Sequence, residues 1–180
     1  MQPVIAVPEP LTEAERDRYQ RTMAIDGFGE EAQGRLKAAT VCCIGAGGLG
    51  GPVLQYLAAS GVGRLIVVDD DIVEERNLQR QTLYGTTTLG ASKAAAAAAR
   101  LADLNPMVEV IPVSLRVTQD TAESVLAGCD VVVDAVDNLP TRLAVAGACQ
   151  RLDLPLVFGA VQAVNGQVTV LWERHGLVQQ

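Results

Sequence analysis

The feature that most limits the fold of this chain is a run of glycines between a short apolar stretch and a helical pattern. The run Gly45–Gly50 reads G-A-G-G-L-G and follows the apolar stretch Val41–Ile44. An apolar stretch that ends in glycines indicates a buried strand, and G-x-G-x-x-G between a strand and a helix is a nucleotide-binding fingerprint. In it, Gly45 permits the tight turn, Gly47 lets a pyrophosphate approach the backbone, and Gly50 lets the helix lie close to the sheet. We therefore expect an adenine nucleotide at this helix N-terminus, with NAD, FAD and ATP all open.

Polar residues follow the next strands at positions that can contact such a nucleotide. The run Asp69-Asp70-Asp71 ends the second predicted strand, where an acid can accept hydrogen bonds from ribose hydroxyls. Arg80 comes after that strand, Lys93 begins a later predicted helix, and Asp137 lies just beyond another predicted strand. Because ligands of open α/β sheets gather at the carboxyl ends of the strands, we expect these side chains to reach one edge. Two cations and a carboxylate suit a metal-bound triphosphate better than a nicotinamide.

The rest of the chain alternates between apolar stretches and helical patterns. Strands are predicted at 41–44, 64–69, 108–113, 131–134, 156–158 and 167–172. Helices are predicted at 11–21, 49–60, 92–104, 120–127 and 140–152. This alternation predicts a Rossmann-like α/β fold, with a mostly parallel sheet covered by helices on both faces and preceded by an N-terminal helical arm.

Local signals set the details of these elements. Thr12 and Glu15 form a predicted capping box at the start of the first helix. Gly27, Gly29 and Gly34 are expected to break the helical pattern, and residues 1–10 are expected to form a loose arm. Asn77–Gly90 is expected to be irregular. Ser92 is predicted to cap the helix that begins with Lys93.

Composition and charge exclude several classes of protein. Lys and Arg number 14 and Asp and Glu number 21, so the net charge is −7, which is unfavourable for nucleic-acid binding. A hydrophobic share of 49% argues against disorder. No apolar run approaches the roughly 20 residues that span a bilayer, and residues 1–10 lack the basic start of a secretory signal. We therefore expect a cytoplasmic protein that binds neither nucleic acid nor membrane.

The four cysteines, Cys42, Cys43, Cys129 and Cys149, contain no C-x-x-C pair. We expect them to be small buried hydrophobic residues rather than a zinc site or a disulfide. The single histidine, His175, is expected to be a surface residue.

Several blocks of sequence occur in a fixed order along the chain. They include R-Y-Q-R, the glycine run, V-D-D-D, N-L-Q-R-Q, L-N-P, V-V-D-A-V-D-N and F-G-A-V with G-Q-V-T-V. Together they resemble the ThiF/MoeB/HesA family, the bacterial branch of the ubiquitin-activating-enzyme superfamily, over about residues 12–172. The N-L-Q-R-Q block at Asn77–Gln81, in order with the others, is far more specific than the glycine run.

The resemblance implies an activity and a set of site residues. Such enzymes bind ATP and Mg²⁺, and they adenylate the C-terminal Gly-Gly carboxylate of a small ubiquitin-like (β-grasp) sulfur-carrier protein, releasing pyrophosphate. The nucleotide-binding residues are then expected to be Gly45, Gly47, Gly48, Gly50, Asp69, Asp71, Arg76, Asn77, Leu78, Gln79, Arg80, Lys93, Asp137 and Asn138. The catalytic residues are expected to be Arg21, Arg80, Lys93 and Asp137, with Asp137 binding Mg²⁺ and Arg21 acting on the partner's ATP across a homodimer interface.

The resemblance also divides the chain. Residues 1–39 are expected to form the arm and helices, 40–172 a Rossmann-like adenylation domain, and 173–180 a tail where the usual zinc-binding part, with its two C-x-x-C pairs, does not follow. Zinc is therefore not expected in this chain. The sequence leaves the carrier open, and with it the choice between molybdopterin, thiamine, tRNA thiolation and other sulfur-transfer pathways.

Two alternatives of other classes remain. An NAD-dependent oxidoreductase would use the glycine run and Asp69 but would leave Arg80, Lys93 and Asp137 without a role. A non-catalytic nucleotide-binding or dimerisation module is the other alternative.

Overall fold

Short runs of apolar, often β-branched residues form the strands of one sheet in the computed structural model, which describes residues 4–172. The strands are β1 Thr40–Ile44, β2 Arg64–Val68, β3 Glu109–Val113, β4 Val131–Asp134, β5 Leu156–Gln162 and β6 Asn165–Leu171. The helices are α1 Glu13–Met23, α2 Gly29–Ala38, α3 Gly50–Ala59, α4 Lys93–Leu104, α5 Ala122–Leu126 and α6 Leu139–Leu152. The segment between β2 and α4 contains two single-turn 3₁₀ helices, Glu75–Asn77 and Thr86–Thr88, the second of which lies within the stretch 77–90 that was predicted to be irregular.

The sheet has the strand order β3-β2-β1-β4-β5-β6, in which β1 to β5 are parallel and β6 is antiparallel to β5. This order confirms the predicted Rossmann-like class. The chain leaves β1 in one direction to β2 and β3 and returns to its other side at β4, so a topological switch point lies between β1 and β4. The register places Ile44 opposite both Val68 and Asp134, Val68 opposite Val113, and Asp134 opposite Phe158. The carboxyl ends of β1 to β4 therefore form one continuous edge, and β5 extends beyond it to Gln162.

Helices cover both faces of the sheet, as predicted, because successive strand residues point to opposite faces. Cys43 belongs to a core cluster with Leu54 of α3 and Leu101 of α4. Its neighbour Cys42 belongs to the cluster on the other face, with Leu126 of α5. All four cysteines are buried and free, which confirms their prediction as small core residues.

Helix α1 begins as predicted from its capping signal. The hydroxyl of Thr12 accepts a hydrogen bond from the Glu15 backbone N–H at 3.2 Å, and the Glu15 carboxylate accepts one from the Thr12 N–H at 2.7 Å. Both partners of the capping box are therefore present. Lys37 of α2 donates to the same carboxylate at 2.7 Å, which joins α1 to α2.

Two N-terminal predictions are wrong. Helix α2 begins at Gly29 and continues through Gly34, although these glycines were expected to end helical structure. The arm is not wholly loose, because the Glu9 N–H donates to the Gly34 carbonyl at 3.0 Å. A Cβ added at Gly34 would lie 2.6 Å from the Glu9 carbonyl oxygen. Glycine is therefore kept in this helix because the arm packs directly against it, a contact between segments that a local pattern does not contain.

The last two strands are longer than predicted. β5 and β6 pair along their whole length as a hairpin, and Ala163 in its turn has a left-handed φ of 53°. The residues that extend β5 include a glycine, an alanine and a glutamine, which carry little strand signal by themselves. In the opposite sense, α5 is shorter than the predicted 120–127. The predicted tail 173–180 and His175 lie outside the described residues.

Among the helices of residues 4–172, none combines the length and the apolar character needed to cross a membrane.

Candidate nucleotide-binding site

A cavity of about 780 Å³ lies along the aligned carboxyl ends of the strands, a volume typical of a small-molecule site. Its wall includes nine of the residues that the sequence analysis assigned to a nucleotide: Gly45, Gly47, Gly48, Asp69, Asp71, Arg80, Lys93, Asp137 and Asn138. These residues come from five separate segments of the chain. The fold therefore brings together the glycine run, two cations and an acidic loop at the switch point.

The glycine run makes the tight turn that its sequence predicts. Gly45 has a φ of 91°, in the left-handed region that favours glycine. A Cβ added there would lie 2.8 Å from the carbonyl oxygen of Ala135, in the loop after β4. A Cβ added at Gly50 would lie 1.9 Å from the Gly45 carbonyl oxygen, so α3 approaches the turn too closely for any side chain. The glycine run is thus packed against the loop that carries Asp137.

Two side chains fix the conformation of the glycine run at Ala46. The Asp69 carboxylate accepts the Ala46 N–H at 2.8 Å, and the Tyr84 hydroxyl donates to the Ala46 carbonyl at 2.8 Å. The other Asp69 oxygen accepts the Asp71 N–H at 2.9 Å. Burial, together with the charge of Asp69 and the thiol of Cys43, raises the pKa of Tyr84, which keeps the phenol in its donating form. The turn is therefore preorganised on both sides.

Lys93 is a buried cation at the edge of the cavity. Its side chain is only 5% exposed, and its ammonium lies 2.9 Å from the carboxylate of Asp71, which is 66% exposed. The Ser92 hydroxyl caps α4 by accepting the Ala95 N–H, as the sequence predicts. A phosphate entering the cavity can therefore meet Lys93 while Asp71 remains hydrated.

Arg80 lies next to the glycine run. A Cβ added at Gly48 would lie 3.7 Å from Cγ of Arg80. The Asn77 carbonyl accepts the N–H groups of Arg80 and Gln81, at 3.1 and 2.9 Å, and so shapes the segment that presents Arg80. Two cations, Arg80 and Lys93, thus line the same cavity as a backbone of a type suited to phosphate.

The loop after β4 holds an exposed acid and a buried one. Asp137 is exposed in the cavity wall, while Asn138 uses its side-chain oxygen to accept the Thr141 N–H at 3.0 Å and cap α6. Asp134, the last residue of β4, is fully buried. Burial raises the pKa of Asp134, and the Val136 N–H and the Arg142 guanidinium oppose that increase. Arg142, in the first turn of α6, also lines the cavity.

Several predicted site residues do not reach the cavity wall. They are Arg21, Gly50, Arg76, Asn77, Leu78 and Gln79. Asn77 is buried beneath the segment that it shapes, and Leu78 packs against the core. Arg76 pairs with Glu74, and its side chain is 81% exposed.

Arg21 is exposed on α1, and the contacts of that helix lie near the opposite edge of the sheet. Arg18 donates to the Leu104 carbonyl at the end of α4 at 2.5 Å, and the Tyr19 hydroxyl accepts a bond from Asn105 at 2.7 Å. The end of α4 precedes β3, so it lies at the amino-terminal edge of the parallel strands. Arg21 therefore lies outside the cavity wall.

The cavity wall also contains functional candidates that the sequence analysis did not select: Gln81, Arg116, Thr141 and Arg142. Gln81 closes the N-L-Q-R-Q block, so it had a signal in a block already recognised. Arg142 lies four residues beyond the block that ends at Asn138, so its only signal was that proximity. Arg116, which donates a hydrogen bond to Asp70 at 2.9 Å, had only one sequence signal, its position just after the third strand. Tyr84 had no sequence signal that linked it to the glycine run.

The strand order and the glycine run at the switch point define this chain as a Rossmann-like α/β protein with a cavity of nucleotide-binding type. Within that class, the chain belongs to the ThiF family, whose family model matches residues 19–178.

Individual relatives agree with this assignment. The chain is 50% identical over 161 residues to the SAMP-activating enzyme E1 of Haloferax volcanii, a match that covers 89% of this chain and 60% of the relative. It is 52% identical over 159 residues to the sulfur carrier protein adenylyltransferase of Thermus thermophilus, covering 88% and 59% of the two chains. The chain thus spans about 60% of the length of these two relatives.

A solved structure supports the fold. The chain matches the E. coli tRNA N6-threonylcarbamoyladenosine dehydratase, crystallised in complex with ATP, with a TM-score of 0.78 and 32% sequence identity. The match covers 83% of this chain and 61% of that one.

Proposed function

We propose that this chain provides the adenylation site for a small ubiquitin-like sulfur-carrier protein, using ATP to activate the carrier's C-terminal Gly-Gly carboxylate. The observation that carries the proposal is the cavity itself, whose wall is formed by the glycine run together with Arg80, Lys93 and Asp137. Two relatives near 50% identity are named as a sulfur carrier protein adenylyltransferase and a SAMP-activating enzyme E1, which supports the same chemistry here. The ATP complex of the dehydratase relative supports ATP as the nucleotide.

The chemistry is a nucleotidyl transfer. A carboxylate oxygen of the carrier forms a bond to the α-phosphorus of ATP, and the bond from that phosphorus to the bridging oxygen of pyrophosphate breaks. The attacking group is already ionised at pH 7, so no general base is required. The barrier comes largely from bringing a carboxylate anion to a polyanion. Arg80 and Lys93 offset that charge, and they also stabilise the leaving pyrophosphate.

In this proposal each part of the wall has a role. The Gly47 and Gly48 backbone approaches the phosphates at the N-terminus of α3, and Asp69 accepts a ribose hydroxyl with its remaining lone pairs. Lys93 exchanges its contact with Asp71 for one with phosphate. Asn77 and Leu78 act indirectly, by holding the segment that carries Arg80.

The residues at Asp137 fit a magnesium ion that is shared with ATP. Mg²⁺ is commonly held by one or two protein carboxylates together with substrate phosphates, and Asp137 offers an exposed carboxylate beside the glycine run. Within residues 4–172, no cluster of three or more His, Cys, Asp or Glu side chains could hold a metal on its own. When bound, Mg²⁺ would neutralise charge on the phosphates.

We also propose a two-fold symmetric homodimer, in which Arg21 of one subunit reaches the ATP of the other. Arg21 is exposed and does not line the cavity of its own chain, and a two-fold interface lets each subunit donate one arginine and receive one. Residues 40–172 would then form the adenylation domain, and 1–39 the part that donates Arg21. The proposed location is the cytoplasm.

The test is pyrophosphate exchange into ATP by the purified chain, with a purified sulfur-carrier protein that ends in Gly-Gly. Exchange is expected with the free C-terminal carboxylate and not with the same carrier bearing a C-terminal amide, which is the matched control. Calorimetric titration is expected to show ATP binding in preference to NAD. ATP binding without carrier-dependent exchange would refute the proposal in favour of a non-catalytic nucleotide-binding module. Tight NAD binding without ATP binding would refute it in favour of an oxidoreductase.

A further inference from the structure

A buried ion pair lies directly beneath the loop that carries Asp137. Nε of Arg142 is 3.2 Å from an oxygen of Asp134, whose side chain is fully buried, while the Arg142 side chain is 21% exposed. The approach lacks hydrogen-bond geometry, so neither the Arg142 Nε nor that Asp134 oxygen has a hydrogen-bond partner among the described residues. Buried charges with incomplete hydrogen bonding are weak sources of stability. A contribution to stability therefore does not explain why this ion pair is buried here.

The guanidinium of Arg142 joins three elements. Its Nη2 donates to the Val136 carbonyl at 2.5 Å, in the loop after β4, and to the Gly159 carbonyl at 3.3 Å, in β5. Its Cζ lies 4.4 Å from the centroid of the Phe158 ring. A single side chain of α6 thus ties the residue before Asp137 to the neighbouring strand.

The same loop supports the glycine run. A Cβ added at Gly45 would lie 2.8 Å from the Ala135 carbonyl oxygen and 3.3 Å from the Val136 nitrogen. The oxygen of Asp134 that does not face Arg142 accepts the Val136 N–H at 3.1 Å. Residues 134–136 are therefore held from one side by the Asp134–Arg142 pair and pressed from the other against the turn that receives phosphates.

We propose that Arg142 is a positioning residue of the adenylation site, with Asp134 as its charge partner: together they fix the loop that presents Asp137 and backs the glycine run. The expected loss of adenylation rate rests on the proposed function. Arg142 acts through the Val136 carbonyl rather than on the reacting atoms. A misplacement of about 1 Å in such a support can cost about 10²-fold in rate.

Four variants separate positioning from charge and from stability. Arg142→Lys keeps the positive charge but loses the planar fork that reaches two carbonyls. Arg142→Met removes the charge, and the double variant Asp134→Asn, Arg142→Met removes both charges while keeping an oxygen for the Val136 N–H. Arg151→Met is the matched control, because Arg151 is an exposed residue of the same helix that pairs with Glu123.

The readouts are carrier-dependent pyrophosphate exchange, the KM for ATP, the melting temperature, and hydrogen–deuterium exchange of the backbone amides of residues 135–138. We expect Arg142→Lys and the double variant to melt close to the parent, to lose about 10²-fold in kcat with a KM for ATP within about threefold, and to show faster amide exchange confined to this loop and the glycine run. The control variant is expected to match the parent in every readout.

A parent-like rate of pyrophosphate exchange in Arg142→Lys would overturn the inference. A parent-like rate in the double variant, measured with a parent-like melting temperature, would overturn it as well. Unchanged amide exchange at 135–138 in Arg142→Met would overturn it as well. Amide exchange can be measured without turnover, so it tests the positioning role even if the parent shows no carrier-dependent pyrophosphate exchange. Absence of pyrophosphate exchange in the parent would refute only the proposed function.

Discussion

The Asp69 carboxylate accepts a hydrogen bond from the backbone N–H of Ala46 at 2.8 Å, so the acid at the end of β2 directly holds the glycine run after β1. The sequence suggests that this acid binds ribose, and the structure shows that it also organises the turn that is proposed to bind phosphate. One side chain thus connects two parts of the nucleotide cavity. Its removal is expected to affect both.

Asp69→Ala is expected to weaken ATP binding by about tenfold or more, because one lost hydrogen bond to a charged group costs about 1.5–3 kcal/mol and the glycine run also loses its support at Ala46. Asp69→Asn keeps an oxygen for the Ala46 N–H and is expected to lose less. Calorimetric titration with ATP checks this. Asp103→Ala, on the exposed side of α4, is the control. Equal ATP affinity in Asp69→Ala and the parent would remove Asp69 from the site.

Arg80→Ala and Lys93→Met are each expected to reduce carrier-dependent pyrophosphate exchange by about 10²-fold or more, because each removes a cation from the charge that develops on the phosphates. Methionine is chosen at Lys93 because that side chain is 5% exposed and its hydrophobic packing should be kept. The controls are Arg64→Ala and Arg100→Ala, two exposed arginines with partners of their own outside the cavity wall.

If both cavity variants exchange pyrophosphate at the parent rate while the controls do the same, the assignment of the phosphate-binding cations is wrong. Melting temperatures measured in parallel distinguish loss of a catalytic group from loss of the fold.

Mixing Arg21→Ala subunits with Asp137→Ala subunits is expected to restore activity that neither variant has alone. If Arg21 acts across the interface, each hybrid dimer contains one site with both defects and one intact site. A fully exchanged equimolar mixture should then recover about a quarter of the parent exchange rate, since about half of the dimers are hybrids and each has one working site of two. No recovery after verified subunit exchange, or a fully active monomer, would contradict a shared site.

Glu15→Gln is expected to lower the free energy of unfolding by about 1–2 kcal/mol at pH 7. Burial raises the pKa of Glu15, but hydrogen bonds from Lys37 and Thr12 outweigh it, so the pKa falls below the ordinary value of 4.5. A lowered folded-state pKa contributes stability that is present above pH 4.5 and is lost as the pH falls through the folded-state value.

The difference between the Glu15→Gln variant and the parent should therefore shrink in acid, where Glu15 becomes protonated and resembles glutamine. Urea denaturation at pH 7 and near pH 3.5 measures it. A difference that is the same at both pH values would show that the ion pair with Lys37 does not link α1 to α2 energetically.

The sequence by itself determined the elements whose signals are local. The turn and the helix start at the glycine run need residues without a Cβ, so Gly45 and Gly50 could be assigned before the fold was known. The capping residues Thr12 and Ser92 satisfy free N–H groups within their own first turns, and both were predicted correctly. The alternation of strands and helices was sufficient to predict the class of sheet, and the order of the sequence blocks was sufficient to identify the family.

Only the tertiary structure decided which distant side chains meet. The contacts of Tyr84 with Ala46, of Lys93 with Asp71 and of Arg142 with Gly159 span between 17 and 38 positions along the chain, and no periodic pattern specifies their partners. The same reason applies at Gly34, where the close packing of the arm, rather than the local sequence, leaves no room for a side chain. Periodicity depends on backbone geometry over a few residues, whereas the site depends on how separate elements pack, which is settled only when the whole chain has folded.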